Sequence, residues 1–342
     1  MMRLMIVGSD RIYSIENFYL KYLREAGVEI LLFPAQRFFY DYYQKGILNK
    51  LIFRAGLSGI FKRINQRFKK EVETFKPDAI WVFKGMELFP ESLKWAKAGG
   101  VKLLNFNGDN PFLFSGKGSG NANVTKSISL YDLHLSYNTE VKKEMELRFG
   151  IPVAILPFGY DIENTLYAKC CEQEETMRVC FLGNPDEYRG KFLQELAEKG
   201  IPLDLYGNDW NKYVQHPSVK IFKPVYADEC WMVLRKYRVQ LNLMRPHNPT
   251  THNMRSFELG GVGAIQLAPG TEDHRQYFKV GEEIFVYNDM DECLQQVKQI
   301  MAMDKDSVDS IRSNARNRSE QSGYSYKARA MQALEEIKKL VG

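Results

Sequence analysis

A chain of 342 residues is long for a single hydrophobic core, so two domains are expected. With 44% hydrophobic and 26% charged residues, its composition is that of an ordinary soluble globular protein. No uncharged apolar run approaches the ~18 residues of a membrane span. The net charge of +5 is mild, and no nucleic-acid module is visible.

The opening residues, MMRLMIVGSD, are apolar for too short a distance to be a secretory signal. Leu4–Val7 reads instead as a first strand, followed by a helix over Ile15–Ala26 and a strand over Glu29–Phe33. A long helical region covers Phe38–Phe75, with breaks at Gly46 and at Gly56–Gly59. Between Arg37 and Lys70 nine Lys/Arg stand against one acid, Asp41, which gives this window +8. It is also rich in aromatic residues. It reads either as a solvated helix face or as a surface for an anionic membrane or acceptor. Ile60, Ile64, Phe68 and Val72 recur every four residues and fit a core-facing stripe.

Ala79–Phe83, Lys102–Phe106 and Leu133–Ser136 read as further buried strands with helices between them. The pattern restarts near Pro152 with a strand over Val153–Leu156 and a rigid turn over Pro157–Asp161. Glu172–Thr176 reads as exposed linker. Strands then follow at Val179–Leu182, Leu203–Tyr206, Val219–Phe222, Val239–Met244, Ala264–Ala268 and Ile284–Val286. Helices are expected over Lys191–Lys199, Asp228–Tyr237, Thr251–Gly260 and Met290–Met303. Alternation of this kind implies parallel sheets covered on both faces. The fold class is therefore α/β, with two doubly wound Rossmann-like domains over residues 1–150 and 151–322. A C-terminal helix, within 323–342, could return to the first domain.

Ligands of open α/β sheets bind beyond the C-terminal ends of the strands. The most informative segment there is Thr250–Ala268, a helix start followed by a Gly-rich turn and a strand. A helix start offers unpaired N–H groups to an anion. Arg255 and Glu258, three residues apart, share a helical face; as a mere surface pair they would contribute about 0.3 kcal/mol. In the first domain Asp109, within Asn107–Pro111, is the best-placed carboxylate for a general base, although the same residues suit an ordinary turn. His247 and His252 flank Pro249-Thr250-Thr251 without a third ligand at metal spacing. The five cysteines, 170, 171, 180, 230 and 293, have no C-x-x-C spacing, so reduced thiols in the cytoplasm are expected.

Several motifs carry a resemblance. They are Met254–Leu259, Gly260–Leu267, Tyr277–Glu283 and Phe285–Tyr287, with Leu182-Gly183-Asn184, Arg189, Tyr206-Gly207-Asn208 and Tyr324-Ser325-Tyr326. Together they resemble glycosyltransferases of the GT-B architecture, and among them the CgeB-type, spore-maturation glycosyltransferase-like family. The resemblance implies two domains around a central cleft, with the second holding a nucleotide-sugar donor linked to UDP or GDP. It implies that Glu258 bonds the ribose hydroxyls, and that Arg255 and the N–H groups of Thr251, His252 and Asn253 face the diphosphate. Gly183 and Asn184 would approach the phosphates, Arg189 would add a cation, and Val225 would offer backbone groups to the base. The pair of glutamates seven residues apart that is usual in retaining enzymes of this kind is not preserved, with His252 and Pro249 standing near where acidic or polar groups would be expected. The expected activity is transfer of a sugar to a glycan, glycolipid or protein acceptor, such as a bacterial surface or spore glycan, without metal or cofactor. If residues 37–70 are a functional surface rather than a solvated face, their charge would suit contact with the inner face of an anionic membrane. The alternative is a non-catalytic sugar or nucleotide-sugar binding protein on the same fold. A dinucleotide oxidoreductase is disfavoured, because Gly8–Tyr13 lacks G-x-G-x-x-G.

Overall fold

The computed structural model describes residues 1–114, 118–245 and 250–342. The chain divides into two compact units, Met1–Pro157 with Tyr326–Gly342, and Phe158–Ser325.

In the first unit the chain runs β1 (Arg3–Val7), α1 (Ile15–Glu25), β2 (Glu29–Phe33), α2 (Ala35–Gln44), α3 (Ile47–Arg54) and α4 (Ile60–Phe75). It continues through β3 (Ala79–Phe83), α5 (Pro90–Ala98), β4 (Lys102–Phe106), α6 (Ala122–Ser127), β5 (Leu133–Ser136), α7 (Thr139–Phe149) and β6 (Val153–Ile155). The six strands form one parallel sheet in the order β2-β1-β3-β4-β5-β6. β3, AIWVF, is buried along its whole length, because helices cover both faces of the sheet. The stripe Ile60, Ile64, Phe68 and Val72 of α4 is buried in this core. β6 pairs with β5, so the first sheet extends past residue 150.

The second unit begins with α8 (Asn164–Cys171), β7 (Thr176–Leu182), α9 (Glu187–Glu198), β8 (Leu203–Tyr206) and β9 (Val219–Phe222). Then come α10 (Ala227–Lys236), β10 (Tyr237–Leu241), α11 (Met254–Gly261), β11 (Gln266–Pro269), α12 (Glu272–Tyr277), β12 (Phe285–Tyr287), α13 (Met290–Ala302) and α14 (Lys305–Gln321). Its sheet order is β12-β11-β10-β7-β8-β9, again all parallel.

The last helix, α15 (Tyr326–Val341), packs on α1 in the first unit. Tyr326 stacks on Phe18 at 4.6 Å and meets Tyr19 edge-on at 5.8 Å. The Nε2 of Gln332 donates to the carbonyl of Ile155 at 2.8 Å.

Two expectations change. The stretch Glu172–Thr176 is more than exposed linker, because Glu175 pairs with Arg238 and Arg312, each at 2.6 Å. Those two arginines are buried, and a buried cation needs a partner charge. The helix expected from Thr251 begins instead at Met254, for a reason that lies in the site itself.

Candidate functional site

In a doubly wound sheet the crevice for a ligand opens where the strand order reverses. In the second sheet that point lies between β7 and β10. β7 leads into Gly183 and Asn184. The Gly183 N–H donates to the Tyr206 carbonyl at 2.9 Å, and its own carbonyl accepts from the Trp210 indole at 2.9 Å. A Cβ on Gly207, whose φ is +155°, would lie 2.3 Å from the Gly183 oxygen. The loops after β7 and β8 therefore touch backbone to backbone, which only glycine permits at position 207.

Arg189, in the first turn of α9, spans the reversal. Asp186 caps the helix by accepting the Arg189 N–H at 2.9 Å. The guanidinium donates to the Asn184 carbonyl at 3.2 Å and to the Leu243 carbonyl, beyond β10, at 2.8 Å. Burial pushes its pKa down to about 10, against the opposing pull of Asp186, so it stays cationic at neutral pH. Arg189 is first of all a clamp between two loops.

Asn242, next to Leu243, holds the start of α11. Its side-chain amide and that of Asn253 donate to each other's oxygens, at 3.2 and 2.7 Å. Asn253 is the N-cap, and its oxygen accepts the Ser256 N–H at 3.0 Å while the Ser256 hydroxyl accepts the Asn253 N–H at 3.3 Å. The helix starts at Met254 because asparagine outranks threonine as a cap, and here a capping box closes on it. The Ser256 hydroxyl also meets Nε2 of His274 at 2.8 Å. Nδ1 of His274 faces the Pro269 carbonyl at 2.8 Å, so it must carry the proton and leave Nε2 to accept from Ser256. Burial pushes the His274 pKa down to about 4 and keeps the ring neutral.

Thr251 and His252 thus precede the helix, and their N–H groups are not its first-turn donors. Their side chains turn to Asp273 of α12: the Thr251 hydroxyl donates at 2.5 Å, and Nδ1 of His252 lies 2.7 Å away. Burial acts to raise the Asp273 pKa, but the bonds from His252 and Thr251 hold it below the usual carboxylate range. The donors that α11 leaves without a partner inside the helix are the N–H groups of Met254 and Arg255.

Arg255 and Glu258 pair at 2.6 Å, and Arg255 also reaches the Cys230 thiol on α10 at 3.8 Å. Burial works against the Arg255 charge, but the Glu258 carboxylate holds its pKa above the ordinary value. The pair uses one nitrogen of a five-donor fork, so the guanidinium keeps capacity for a ligand. Val225 is buried among Cys180, Tyr206, Val233 and Tyr237 in the loop before α10. The structure thus brings Gly183, Asn184 and Arg189 together with Asn253 around the reversal. Arg255, in the first turn of α11, and Glu258, one turn further, stand toward α10. His247 and Pro249 lie outside the described residues.

In the first sheet the order reverses between β1 and β3. Asp109, after β4, is paired with Lys84 at 2.6 Å, and its N–H donates to Asn107 Oδ1 at 3.0 Å. The turn is built by Asn107, and the carboxylate it presents is engaged by Lys84. Lys84 follows β3 with a φ of +62°, rare for a residue with a side chain, and also donates to the Gly118 carbonyl at 2.8 Å.

Two buried carboxylates stand nearby. Glu16 accepts the Ser9 N–H at 2.7 Å; a Cβ on Gly8 would lie 2.4 Å from its Oε1. Burial raises its pKa. Burial likewise pushes Glu87 up to about 7, with Lys84 opposing and Glu16 adding to the shift.

The sequence alone assigns no role to Asn242, Ser256, Asp273 and His274 in the second unit, nor to Glu16, Lys84 and Glu87 in the first, although Lys84–Glu87 stands out as a loop at a strand end. A Ser three residues after an Asn, and an acid in the first turn after Gly8-Ser9, were the available signals. Among the described residues no group of three or more His, Cys, Asp or Glu side chains is arranged to hold a metal ion.

A family profile described as "Glycosyl transferase-like" matches residues 189–335, which include Arg189, Asn253, Arg255, Glu258 and Asp273. No curated protein matches the chain by sequence. Solved structures match it over nearly its full length at low identity. Sucrose-phosphate synthase from Thermosynechococcus elongatus is 12% identical, with 99% of each chain covered and a TM-score of 0.69. HepE from Anabaena, solved in complex with UDP and glucose, is 13% identical, with 99% of this chain and 100% of that one covered and a TM-score of 0.65. UDP-GlcNAc 2-epimerase from Neisseria meningitidis, bound to UDP-GlcNAc, is 12% identical, with coverage of 99% and 100% and a TM-score of 0.58. The fold is the GT-B architecture, two Rossmann-like units each built on a six-stranded parallel sheet.

Proposed function

We propose that this protein is a glycosyltransferase that takes a sugar from a UDP- or GDP-linked donor and transfers it to a hydroxyl of a glycan, glycolipid or protein. One observation carries the reading. At the strand reversal of the second sheet, a helix start is immobilised by Asn242, Asn253, Ser256 and His274, with a cation–carboxylate pair that begins in its first turn. The profile match over the same residues and the UDP complex of HepE support the choice of ligand.

In this reading the N–H groups of Met254 and Arg255 and the Arg255 guanidinium face the diphosphate. Glu258 takes the ribose hydroxyls, and Val225 lies by the base. Charge grows on the leaving diphosphate as the glycosidic bond breaks. Fixed N–H donors and a cation stabilise that charge without reorganising. The route is proposed to need no metal. Asp109, ion-paired with Lys84, is the proposed general base for the acceptor hydroxyl. We place the protein in the cytoplasm, in the CgeB-type branch of these enzymes, as a hexosyl transferase.

A second reading is a nucleotide-sugar binder without transfer. It is favoured by the ion pair that occupies Asp109. Thermal shift in metal-free buffer with UDP, GDP and their sugars tests the first reading. A nucleoside diphosphate is expected to raise the melting temperature, and Glu258→Ala to abolish the rise. A preference for NAD over every nucleoside diphosphate would sink it. Slow donor hydrolysis that disappears in Asp109→Ala, with nucleotide binding intact, separates enzyme from binder.

A further inference from the structure

We infer that α3 is an interfacial anchor, which lays its outer face into the headgroup region of an anionic bilayer. Of the aromatic residues in the basic window 37–70, Tyr40 is exposed, but most of the others do not form its outer surface. Phe38, Phe39, Tyr42, Phe53 and Phe61 pack inward on the core of the first unit. Phe53 is the inner anchor of α3, 4.9 Å from Phe39 and 5.6 Å from Phe61.

That packing turns the aliphatic side of the helix outward. Ile47 is 77% exposed, Leu48 66%, Leu51 56% and Leu57, just past the helix, 79%. Positions 47, 48 and 51 share one helical face. Single exposed apolar side chains are ordinary, but four in so short a stretch form a patch. No residue of α3 is fully buried. Its eight residues make a rod of about 12 Å, suited to lying in an interface. Among the described residues no helix is long and apolar enough to cross a membrane.

Charge selects the occupant. Lys45, Lys50 and Arg54 lie on or beside α3, and Lys62, Arg63, Arg67 and Lys70 are on α4. The window holds nine cations and one acid, and among the described residues two of these cations have a carboxylate in reach: Arg37 with Asp10 at 2.5 Å, and Arg67 with Glu71 at 4.0 Å. Exposed aliphatic side chains within a window of such cationic excess match a bilayer of acidic lipid, which accepts apolar groups and attracts cations without fixed register. This inference stands apart from the glycosyltransferase reading, since it involves none of the residues assigned to donor or base.

Flotation of the full-length chain with vesicles, without nucleotide, tests it. Binding is expected on phosphatidylcholine vesicles containing about one-third phosphatidylglycerol, and at least ~10-fold weaker binding on pure phosphatidylcholine. The double variant Leu48→Glu/Leu51→Glu should lose ~10-fold or more of that binding with its melting temperature unchanged. Lys45→Glu/Lys50→Glu should lose the preference for anionic vesicles. Undiminished binding by the leucine variant would overturn the inference, as would equal binding to neutral vesicles. So would sedimentation evidence that Leu48 and Leu51 hold two copies of the chain together.

Discussion

The C-terminal edges of the two sheets solve the same topological problem with opposite chemistry. At the reversal of the first sheet stand two buried carboxylates, Glu16 and Glu87, with Lys84 tied to Asp109. At the reversal of the second stand a buried arginine, paired asparagines, a serine and a neutral histidine. Burial raises the pKa of Glu16 and Glu87 and lowers that of Arg189 and His274, whereas Arg255 and Asp273 are held toward their charged forms by Glu258 and by His252 and Thr251. An edge that stores protons on carboxyl groups suits proton exchange with a hydroxyl. An edge of fixed donors suits an anion.

The largest effect should come from breaking the second edge at its clamp. Arg189→Ala leaves the carbonyls of Asn184 and Leu243 without their donor. It is expected to cost about 3–4 kcal/mol, read as a lower denaturation midpoint. A loss under about 1 kcal/mol would mean that the loops hold each other without it.

The pH dependence sharpens the comparison. The folded Glu87 pKa, about 7, lies above its ordinary 4.5, so the native state binds the extra proton. Its contribution to stability is complete below about pH 4.5 and is lost as pH rises through 7. Two and a half units correspond to at most about 3 kcal/mol. Glu87→Gln should therefore raise the melting temperature at pH 8 and flatten the fall between pH 5 and 7; an unchanged slope would place that fall elsewhere. His274 has the reverse sign, since its folded pKa of about 4 lies below 6.5. Its contribution is complete above pH 6.5 and is lost as pH falls toward 4. His134 in the first unit, also near 4, behaves alike, so the loss on the alkaline side is what distinguishes the first edge.

The smallest effect tests the start of α11. Asn253→Ala removes the oxygen that accepts the Ser256 N–H and should cost about 1 kcal/mol. Asn253→Asp, which keeps the cap but loses the donor to Asn242, separates the helix start from the network behind it.

Local pattern made much of the fold legible. AIWVF and KLLNF are strands because apolar runs that short, bounded by turns, need cover on both faces. The every-fourth-residue stripe of α4 predicted its buried face for the same kind of reason. Within the site, the closeness of Arg255 and Glu258 was also legible, because one helical turn fixes it. The start of α11 was not: Thr251 and Asn253 are both good caps. The choice fell to Asn253 because Asn242 bonds its side chain, while Asp273 takes the Thr251 hydroxyl.

The sequence by itself determined the strand and helix grammar, two doubly wound units and the helix that carries Arg255 and Glu258, since these depend on neighbours a few residues apart. Tertiary structure alone decided that Arg189 clamps two loops, that Glu87 is buried beside Lys84, and that Asp273 faces Thr251 and His252. It also decided that α3 turns its leucines outward while Phe53 turns in. Those outcomes depend on strand order and burial, which place residues from distant parts of the chain side by side, and no local period encodes that.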